Sequence, residues 1–473
     1  MDFSILNIIS LVGILGFCVI AWLGSENKRL IPWNTIIFGI ALQLIIGAFV
    51  FILGSQVVEG LNNLLNAVLD ASEAGARFLF GSGIVPEPGR SVGPGVAGRW
   101  IVRAVGDPLV TVPGDAIGYD NLNLGYILAF RALPQVIFFA GLVSLLYRLK
   151  LIQPVVKIFA ILFSRTMKIS GAESLSGAAN IFVGIESALA VKPFLANMTR
   201  SELCAILTSC FGSIASSVLG LYAGILRPTF PSIAGHLVSA SILTIPACFV
   251  ISKLLVPEQG EPETMGHVPD EPEEEGKTRP SPVDSLIVGA LDGVKMAVGI
   301  AAVLIAILGL LALVNACFNG LAGLSGSPYT LLATLGGVFE LITIQNILGV
   351  LFLPLTALTG VSLDWNELWE CSLIIGRRLV ETSIPPYQTL AVLSAQEVLS
   401  SRALLIVSYV LCGFAHIASY GIFVGGLATL IPERRSEVSA LGFKALWGAT
   451  LATLMTGCVA GLFYFGQPTA LGL

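Results

Sequence analysis

Long apolar runs separated by polar loops constrain this chain more than any other feature. A helix needs about 20 apolar residues to cross a bilayer, and the sequence offers such runs repeatedly. They lie at about 4–24, 35–54, 125–147, 203–226, 233–255, 296–318, 403–430 and 442–465. Only 12% of the 473 residues are charged, which is too few for a soluble surface of this size. The predicted fold is therefore an all-α membrane protein with about eight transmembrane helices.

One stretch, residues 257–282, differs in composition from the rest of the chain. It holds eight acidic residues and two basic ones, with six prolines and no aromatic residue. Such a segment buries too little apolar surface to fold alone, so we predict a disordered linker. The linker separates a first half from a second half. The predicted organisation is N-terminal scaffold spans at 1–150 with a long external segment at 55–123, a first repeat at 151–256 and a second half at 283–473.

Basic residues gather in a few loops, and their placement predicts the orientation of the chain. Lys28 and Arg29 follow the first apolar run, Arg148 and Lys150 follow the third, and Arg434 precedes the last. Loops rich in lysine and arginine face the cytoplasm. We therefore expect an integral protein of the plasma membrane (the inner membrane in bacteria), with both termini outside and the acidic linker inside.

Two apolar segments, 155–195 and 368–398, do not have the pattern of simple spans. The first is interrupted by glycines and carries Glu186; the second contains Pro385 and Pro386 and carries Glu381. Polar, helix-breaking backbone at membrane depth occurs only where it is buried in protein or lines a wet cavity. Each segment is therefore predicted to be a re-entrant helical hairpin.

A short repeat follows the two hairpins. CFGSIASSVLG (210–220) comes after the first, and CGFAHIASYGI (412–422) comes after the second. A hairpin followed by an interrupted helix, present twice with opposite direction, is a common plan of secondary transporters. We predict an inverted repeat. The alternative is a chance similarity between two helix faces of small residues, which recur in membrane helices.

The carboxylates of the two hairpins are the first candidates for solute contact. Glu186 is followed by Ser187, and Glu381 is followed by Thr382. An ionisable group within the membrane is costly and marks a substrate or ion path by default. His416, in an otherwise apolar run, is a further candidate. Purely structural roles remain open, with the carboxylates bonding backbone at hairpin tips and the histidine buried and hydrogen-bonded.

An alkali-cation site is suggested by Asn180, Ser213 and the interrupted backbone near Val183 and Ile214. Hard cations prefer oxygen ligands, and an unwound helix exposes carbonyls that a regular helix keeps bonded. A helix-packing role for the asparagine and the serine is the alternative. No nucleotide-binding loop, zinc motif or nucleophile elbow is present. We therefore expect neither an enzyme nor a cofactor nor a nucleic-acid partner, and an ion gradient is left as the energy source.

Blocks spread along the chain give it a family resemblance. They include IPWNTIIFGIALQ (31–43), SGAESLSGAANIFVGIESALAVKPFLANMTRSEL (170–203), LCGFAHIASYGI (411–422) and IPERRSEVSALGFKAL (431–446). With these blocks the chain resembles the concentrative nucleoside transporters. The resemblance implies a homotrimer with scaffold and transport domains that imports nucleosides with Na⁺ or, in some members, H⁺. Carried over by motif, Na⁺ ligands fall on Asn180, Val183, Ser213 and Ile214, and Val218 packs near the base.

The solute residues depart from the family's pattern. GIESAL puts Ile185 where a glutamine is usual and reverses hydroxyl and acid at Glu186 and Ser187. Glu381 comes about two residues early in the second hairpin. GFAHIAS puts His416 at an asparagine position and keeps the serine as Ser419. The hypothesis is a small-molecule solute, a nucleoside or similar compound, with altered base preference. A carrier of a different polar solute, an H⁺-coupled carrier, and a gated pore or receptor remain alternatives.

Overall fold

The computed structural model describes residues 4–53, 55–81, 84–85, 127–269 and 281–466. Within these ranges the chain is helical and contains no strand. Six continuous helices there are long and apolar enough to cross a membrane, and two further predicted spans are helices with a break in the middle. The all-helical membrane fold with about eight spans is thereby confirmed.

The described residues of the N-terminal part form four helices. They are α1 (Ile5–Leu23), α2 (Trp33–Ala48, continued by a π-helical turn at Phe49–Leu53), α3 (Ser55–Phe80) and α4 (Leu128–Arg148). The first part of the predicted external segment is thus a helix, α3, which is held to α4 by the ion pair Arg131–Glu73 at 2.7 Å. Residues 82–83 and 86–123 of that segment lie outside the described part of the chain.

The first repeat continues the chain from residue 153. Its elements are α5 (Gln153–Met167), α6 (Gly171–Ala179), a 3₁₀ helix (Ile185–Phe194), α7 (Arg200–Gly212), α8 (Ser216–Leu226) and α9 (Ile233–Leu255). Lys168 ends α5 in the left-handed conformation, with φ 53°, and Ser170 caps α6. The predicted hairpin segment 155–195 therefore contains most of α5, which is a separate helix, followed by α6 and the 3₁₀ helix.

The second half repeats this order of elements after one long helix. Its elements are α10 (Pro282–Ala322, followed by a 3₁₀ turn at Gly323–Gly326), α11 (Thr330–Leu341), α12 (Ile344–Leu358), α13 (Trp365–Glu381), α14 (Ile384–Ala395), α15 (Ser401–Leu411), α16 (Ile417–Leu430, followed by a 3₁₀ turn at Pro432–Arg434) and α17 (Arg435–Leu462). The second hairpin is α13 with α14, close to its predicted bounds. Helix α12 corresponds in order to α5, and α17 corresponds to α9.

The acidic segment after α9 is partly folded, which contradicts the prediction of a linker disordered throughout. Thr264 is buried, its carbonyl accepts a hydrogen bond from the Gly171 amide, and its hydroxyl accepts one from the Ala172 amide, both at 2.9 Å. Residues 257–269 therefore cap the first hairpin, with unpaired amides at the start of α6 as the physical reason. Residues 270–280 lie outside the described ranges.

Two layers enclose the site. Helices α4 and α10 pack against each other closely, since a Cβ at Gly293 of α10 would lie 2.7 Å from the Cα of Ile137 in α4. The second layer has α9 and α17 at its centre, both buried over most of their length, with the two interrupted helices beside them. The space between α10 and the interrupted helices forms the candidate site.

Candidate functional site

The breaks in the two interrupted helices lie against each other. Between α7 and α8 the backbone is extended at Ser213 and Ala215, and before α16 it is extended at His416. A Cβ at Gly413 would lie 2.5 Å from the carbonyl oxygen of Gly212, so this contact requires glycine. Helix N-termini, with their unpaired amides and partial positive charge, thus begin at both breaks.

A cavity of about 460 Å³ lies between these breaks and α10. This volume falls within the range of small-molecule sites in proteins. Four of the residues predicted to contact solute line it together: Val218, Thr382, His416 and Ser419. The wall also contains residues that the sequence did not single out, namely Gly184, Ala215, Tyr222, Phe414, Phe423 and, from α10, Met296, Gly299, Ile300, Val303 and Leu304.

His416 and Ser419 form a fixed polar unit on this wall. His416 caps the N-terminus of α16, where its Nδ1 accepts a hydrogen bond from the Ser419 amide at 3.2 Å. The Ser419 hydroxyl lies 2.9 Å from the same nitrogen, and the ring of Phe414 meets the imidazole edge-on. The capping bond orients the imidazole, so its position against the cavity is set by the start of the helix.

Glu381 is buried behind the tip of the second hairpin and does not line the cavity in this conformation. Its Oε2 accepts a hydrogen bond from the Arg377 guanidinium at 2.9 Å, and its Oε1 accepts one from the Gln345 amide at 3.1 Å. The sequence predicts this carboxylate on the cavity wall. In this conformation Arg377, one helical turn earlier, holds the carboxylate away from the wall, and the solute contact of Glu381 stays a prediction.

Ser187 is also away from the wall. Its hydroxyl lies 3.4 Å from that of Ser176 and 3.9 Å from the Cys210 sulfur, all within the protein interior. In this conformation the first turn of the 3₁₀ helix directs Ser187 towards α6 and α7, and its solute contact stays a prediction. The side chains of Ile185 and Glu186 lie outside the part that the structure describes.

The tip of the second hairpin is strained. Thr382 adopts φ 70° and ψ −178°, a conformation that β-branched residues rarely enter. The neighbouring Ser383 hydroxyl donates to the Gly413 carbonyl at 2.9 Å. The hairpin tip is therefore fastened to the break before α16, which sets Thr382 against the cavity.

The four predicted ion ligands lie where the first hairpin meets the first break. Ser213 donates through its hydroxyl to the Asn180 carbonyl at 2.9 Å, and the Ser216 amide donates to the Phe182 carbonyl at 3.1 Å. Among the described residues, no hydrogen bond reaches the carbonyl oxygens of Val183 and Ile214. These contacts bring the turn after α6 onto the break after α7.

The side chain of Asn180 is the least satisfied group at this junction. It is 1% exposed, and neither its Oδ1 nor its Nδ2 has a hydrogen-bond partner in the described part of the chain. A buried amide without partners costs about 1–3 kcal/mol. Ser241, missed in the sequence, adds a hydroxyl 2.9 Å from that of Ser213. The junction therefore offers several neutral oxygens around an unpaired amide, the donor set that suits a monovalent hard cation.

Family models cover most of the chain. Residues 12–83 and 236–461 match models described as the N-terminus and the C-terminus of Na⁺ dependent nucleoside transporters. Residues 129–229, which include the first hairpin and its break, match a model described as Gate: nucleoside recognition. The chain belongs to the concentrative nucleoside transporter family. This transporter is thus a multi-pass membrane protein and not an enzyme.

Known proteins match this transporter along nearly its whole length. The uncharacterized transporter YutK of Bacillus subtilis is 33% identical over 96% of this chain and 98% of its own. Sodium/nucleoside cotransporter 1 of Mus musculus is 30% identical over 97% of this chain and 64% of its own length. The structure of CNTnw in an inward-facing substrate-bound state superposes with a TM-score of 0.78 at 29% identity, over 97% and 98% of the two chains. A doubly substituted variant of CNTnw has been solved in an outward-facing state.

Proposed function

We propose that this transporter is a secondary active symporter that imports a nucleoside or nucleoside-like solute together with Na⁺ by alternating access. The observation that carries the proposal is the buried Asn180 amide without partners, at the junction of the first hairpin and the first break. In this proposal Na⁺ is bound by the Asn180 and Ser213 side chains and by the Val183 and Ile214 carbonyls. It is the coupling ion, carried as a second substrate.

The short distance along the chain between ion ligands and cavity wall supports the coupling. Gly184 follows Val183, Ala215 follows Ile214, and both Gly184 and Ala215 line the cavity. An ion that orders these two turns also orders one side of the solute site. By linkage, the solute must then strengthen Na⁺ binding by the same factor as Na⁺ strengthens solute binding.

The position of the cavity supports a moving-domain mechanism. It lies between α10 on one side and the hairpins with their interrupted helices on the other, and small-molecule sites occur preferentially at such interfaces. The layer with the hairpins moves against α4 and α10 in this proposal, which carries solute and ion inward. A homotrimer built on the α4–α10 layer is proposed from the family, with H⁺ as the alternative coupling ion.

Counterflow in proteoliposomes tests the proposal. Labelled uridine and labelled adenosine outside should accumulate against unlabelled nucleoside inside when Na⁺ is present, and not when choline replaces it. If a proton gradient drives accumulation when choline replaces Na⁺, then H⁺ is the coupling ion. If labelled nucleoside only equilibrates across the membrane and shows no counterflow, the protein is a gated pore. If Na⁺ stabilises the protein but no nucleoside is transported, the solute is a different polar compound.

A further inference from the structure

Two serine hydroxyls form a buried pair at the junction of the first hairpin and the first break. Ser213 ends α7 at the break, and Ser241 lies in the central helix α9. Their hydroxyl oxygens are 2.9 Å apart, and each residue is 1% exposed. Each hydroxyl also has a backbone carbonyl within reach, that of Asn180 at 2.9 Å from Ser213 and that of Ile181 at 3.4 Å from Ser241. The pair therefore joins α9 to the turn that follows α6.

These two hydroxyls and two carbonyls can be hydrogen-bonded in two ways, because each hydroxyl carries one proton and rotates freely. In the first arrangement, Ser241 donates to Ser213, and Ser213 donates to the Asn180 carbonyl. In the second arrangement, Ser213 donates to Ser241, and Ser241 donates to the Ile181 carbonyl. The distances between the oxygens allow both arrangements. The second one requires the Ser241 hydroxyl as an acceptor.

The two arrangements differ in the lone pairs that they offer to a cation. In the first, hydrogen bonds occupy the Asn180 carbonyl and one lone pair of the Ser213 oxygen. In the second, the Asn180 carbonyl is released, and both lone pairs of the Ser213 oxygen are free. Hard cations bind through such oxygen lone pairs. A cation at this junction therefore favours the arrangement in which Ser241 accepts the proton of Ser213.

Taking the proposed function as its basis, we infer that Ser241 is a positioning residue for the coupling ion and sets the affinity of the first hairpin for Na⁺. It acts through Ser213, whose proton it accepts, and it lies outside the described wall of the solute cavity. In α17, which corresponds to α9 in order, a hydroxyl also serves a cation, since Thr453 accepts a hydrogen bond from the Arg378 guanidinium at 3.0 Å. Without the Ser241 hydroxyl, Ser213 is left among the described residues with the Asn180 carbonyl as its acceptor, in competition with the ion.

The melting temperature of the purified full-length protein, titrated with Na⁺ while choline keeps the ionic strength constant, tests the inference. A bound ion raises the melting temperature by mass action. In Ser241→Ala, the Na⁺ concentration that gives half of the full rise should increase about threefold to tenfold, because a hydrogen bond that orients an ion ligand is lost. The matched control is Ser239→Ala on the same helix, since the Ser239 hydroxyl donates to the Gly235 carbonyl within α9 at 2.9 Å. The half-maximal Na⁺ concentration of the control should stay close to that of the parent.

A second variant, Ser241→Cys, separates the positioning role from packing. The cysteine side chain has nearly the same shape, but its sulfur is a weak acceptor, so the half-maximal Na⁺ concentration should rise as it does in Ser241→Ala. A value like that of the parent in either Ser241 variant would overturn the inference and leave the proposed function standing.

Solute binding gives an independent readout. The loss of nucleoside affinity in Ser241→Ala should be largest at low Na⁺ and shrink as Na⁺ rises, because the change acts through the ion. An equal loss at every Na⁺ concentration would contradict the positioning role. If Na⁺ changes neither the melting temperature nor the nucleoside affinity of the parent, the proposed coupling to Na⁺ fails, and this inference fails with it.

Discussion

The two hairpins, each with the interrupted helix that follows it, use one architecture in opposite ways. In the first, Asn180 is buried at the end of α6 with no partner in the described residues for its amide. In the second, Arg378 is buried in α13, and its guanidinium donates to the Val410 carbonyl at the end of α15 and, at 3.0 Å, to the Thr453 hydroxyl. One unit leaves polar groups unpaired where the other supplies a permanent cation of its own.

This difference indicates which of the two junctions would gain stability from an exchangeable ion. Unpaired polar groups in the interior are costly, so an unsatisfied junction gains stability from any ligand that completes it. A junction already completed by a guanidinium, a hydroxyl and the Ser383–Gly413 bond gains nothing from an ion. In the proposed function the first unit is therefore the ion-responsive one, whereas the second is closed by its own side chains.

The largest effect is expected for Arg378→Ala, which removes the fixed cation. The change leaves the Val410 carbonyl and the Thr453 hydroxyl without their donor and opens a cavity, for a cost of about 3 kcal/mol. Thermal unfolding in detergent measures it. The control is Arg200→Ala at the start of α7, where both members of the ion pair with Glu26 are partly exposed and a smaller loss is expected. Equal losses in the two variants would contradict the contrast between the units.

A second test removes the unpaired amide. Asn180→Leu should abolish the rise in melting temperature caused by Na⁺ and weaken Na⁺-dependent solute binding at least tenfold, or about 1.4 kcal/mol. Without Na⁺ its stability should equal that of the parent or exceed it, because an unsatisfied polar group has gone. The control is Asn62→Leu, since the Asn62 side chain bonds the Gly235 amide. Asn62→Leu should lose stability but keep the rise in melting temperature caused by Na⁺. If Asn180→Leu also kept that rise, Na⁺ would not bind at this junction.

The third test concerns strain, which the second unit stores at Thr382. Glycine tolerates φ 70°, so Thr382→Gly should stabilise the protein by up to about 1 kcal/mol despite the greater freedom of glycine in the unfolded chain. Thr389→Gly, inside α14, is the matched control and should destabilise by about 1 kcal/mol. The melting temperatures of the two variants show whether each change stabilises or destabilises the protein. A loss of stability in Thr382→Gly would mean that side-chain contacts outweigh the strain.

The smallest effect is expected where α7 begins, at a surface ion pair. Arg200 donates to Glu26 and, with Lys444, lowers the pKa of that carboxyl to about 2. A lowered pKa adds stability above the unfolded value near 4.5, and this stability is lost as the pH falls towards 2. Because both groups are partly exposed, Glu26→Gln should cost less than about 1 kcal/mol.

The pH dependence of that variant checks the sign. The difference in melting temperature between the parent and Glu26→Gln should be present at pH 7 and shrink below about pH 4. Arg402, near the start of α15, is buried and donates to the Gly360 carbonyl at 2.8 Å. Arg402→Gln should therefore be far more costly, with no such loss at low pH. A difference for Glu26→Gln that grows on acidification would contradict the assignment.

Much of the fold could be predicted from periodic apolar runs and from the residues that interrupt them. The breaks at Ser213 and His416 were readable because small and polar residues recur in both copies of the repeat. The folded part of the acidic segment was not readable. Its order depends on Thr264 meeting the unpaired amides of α6, a contact between residues more than 90 positions apart, and composition contains no information about it.

The site was predictable in part for similar reasons. Thr382, His416 and Ser419 follow from the hairpin tip and the helix break, and they line the cavity. One of the two partners of Glu381 could be predicted from the sequence, since Arg377 lies four residues earlier on the same helix face. The second partner, Gln345, comes from a different helix and could not be inferred. The wall from α10 was equally hidden, because which face of an apolar helix meets a cavity depends on packing.

The most direct test of the account is the dissociation constant of the best-binding nucleoside as a function of Na⁺ concentration, with choline keeping the ionic strength constant. Na⁺ should tighten binding until the ion site saturates, and this dependence should be absent in Asn180→Leu and retained in Asn62→Leu. The claim that the first hairpin couples ion to solute would be contradicted if the dissociation constant of the parent did not depend on Na⁺. It would also be contradicted if the dissociation constant of Asn180→Leu depended on Na⁺ as much as that of the parent.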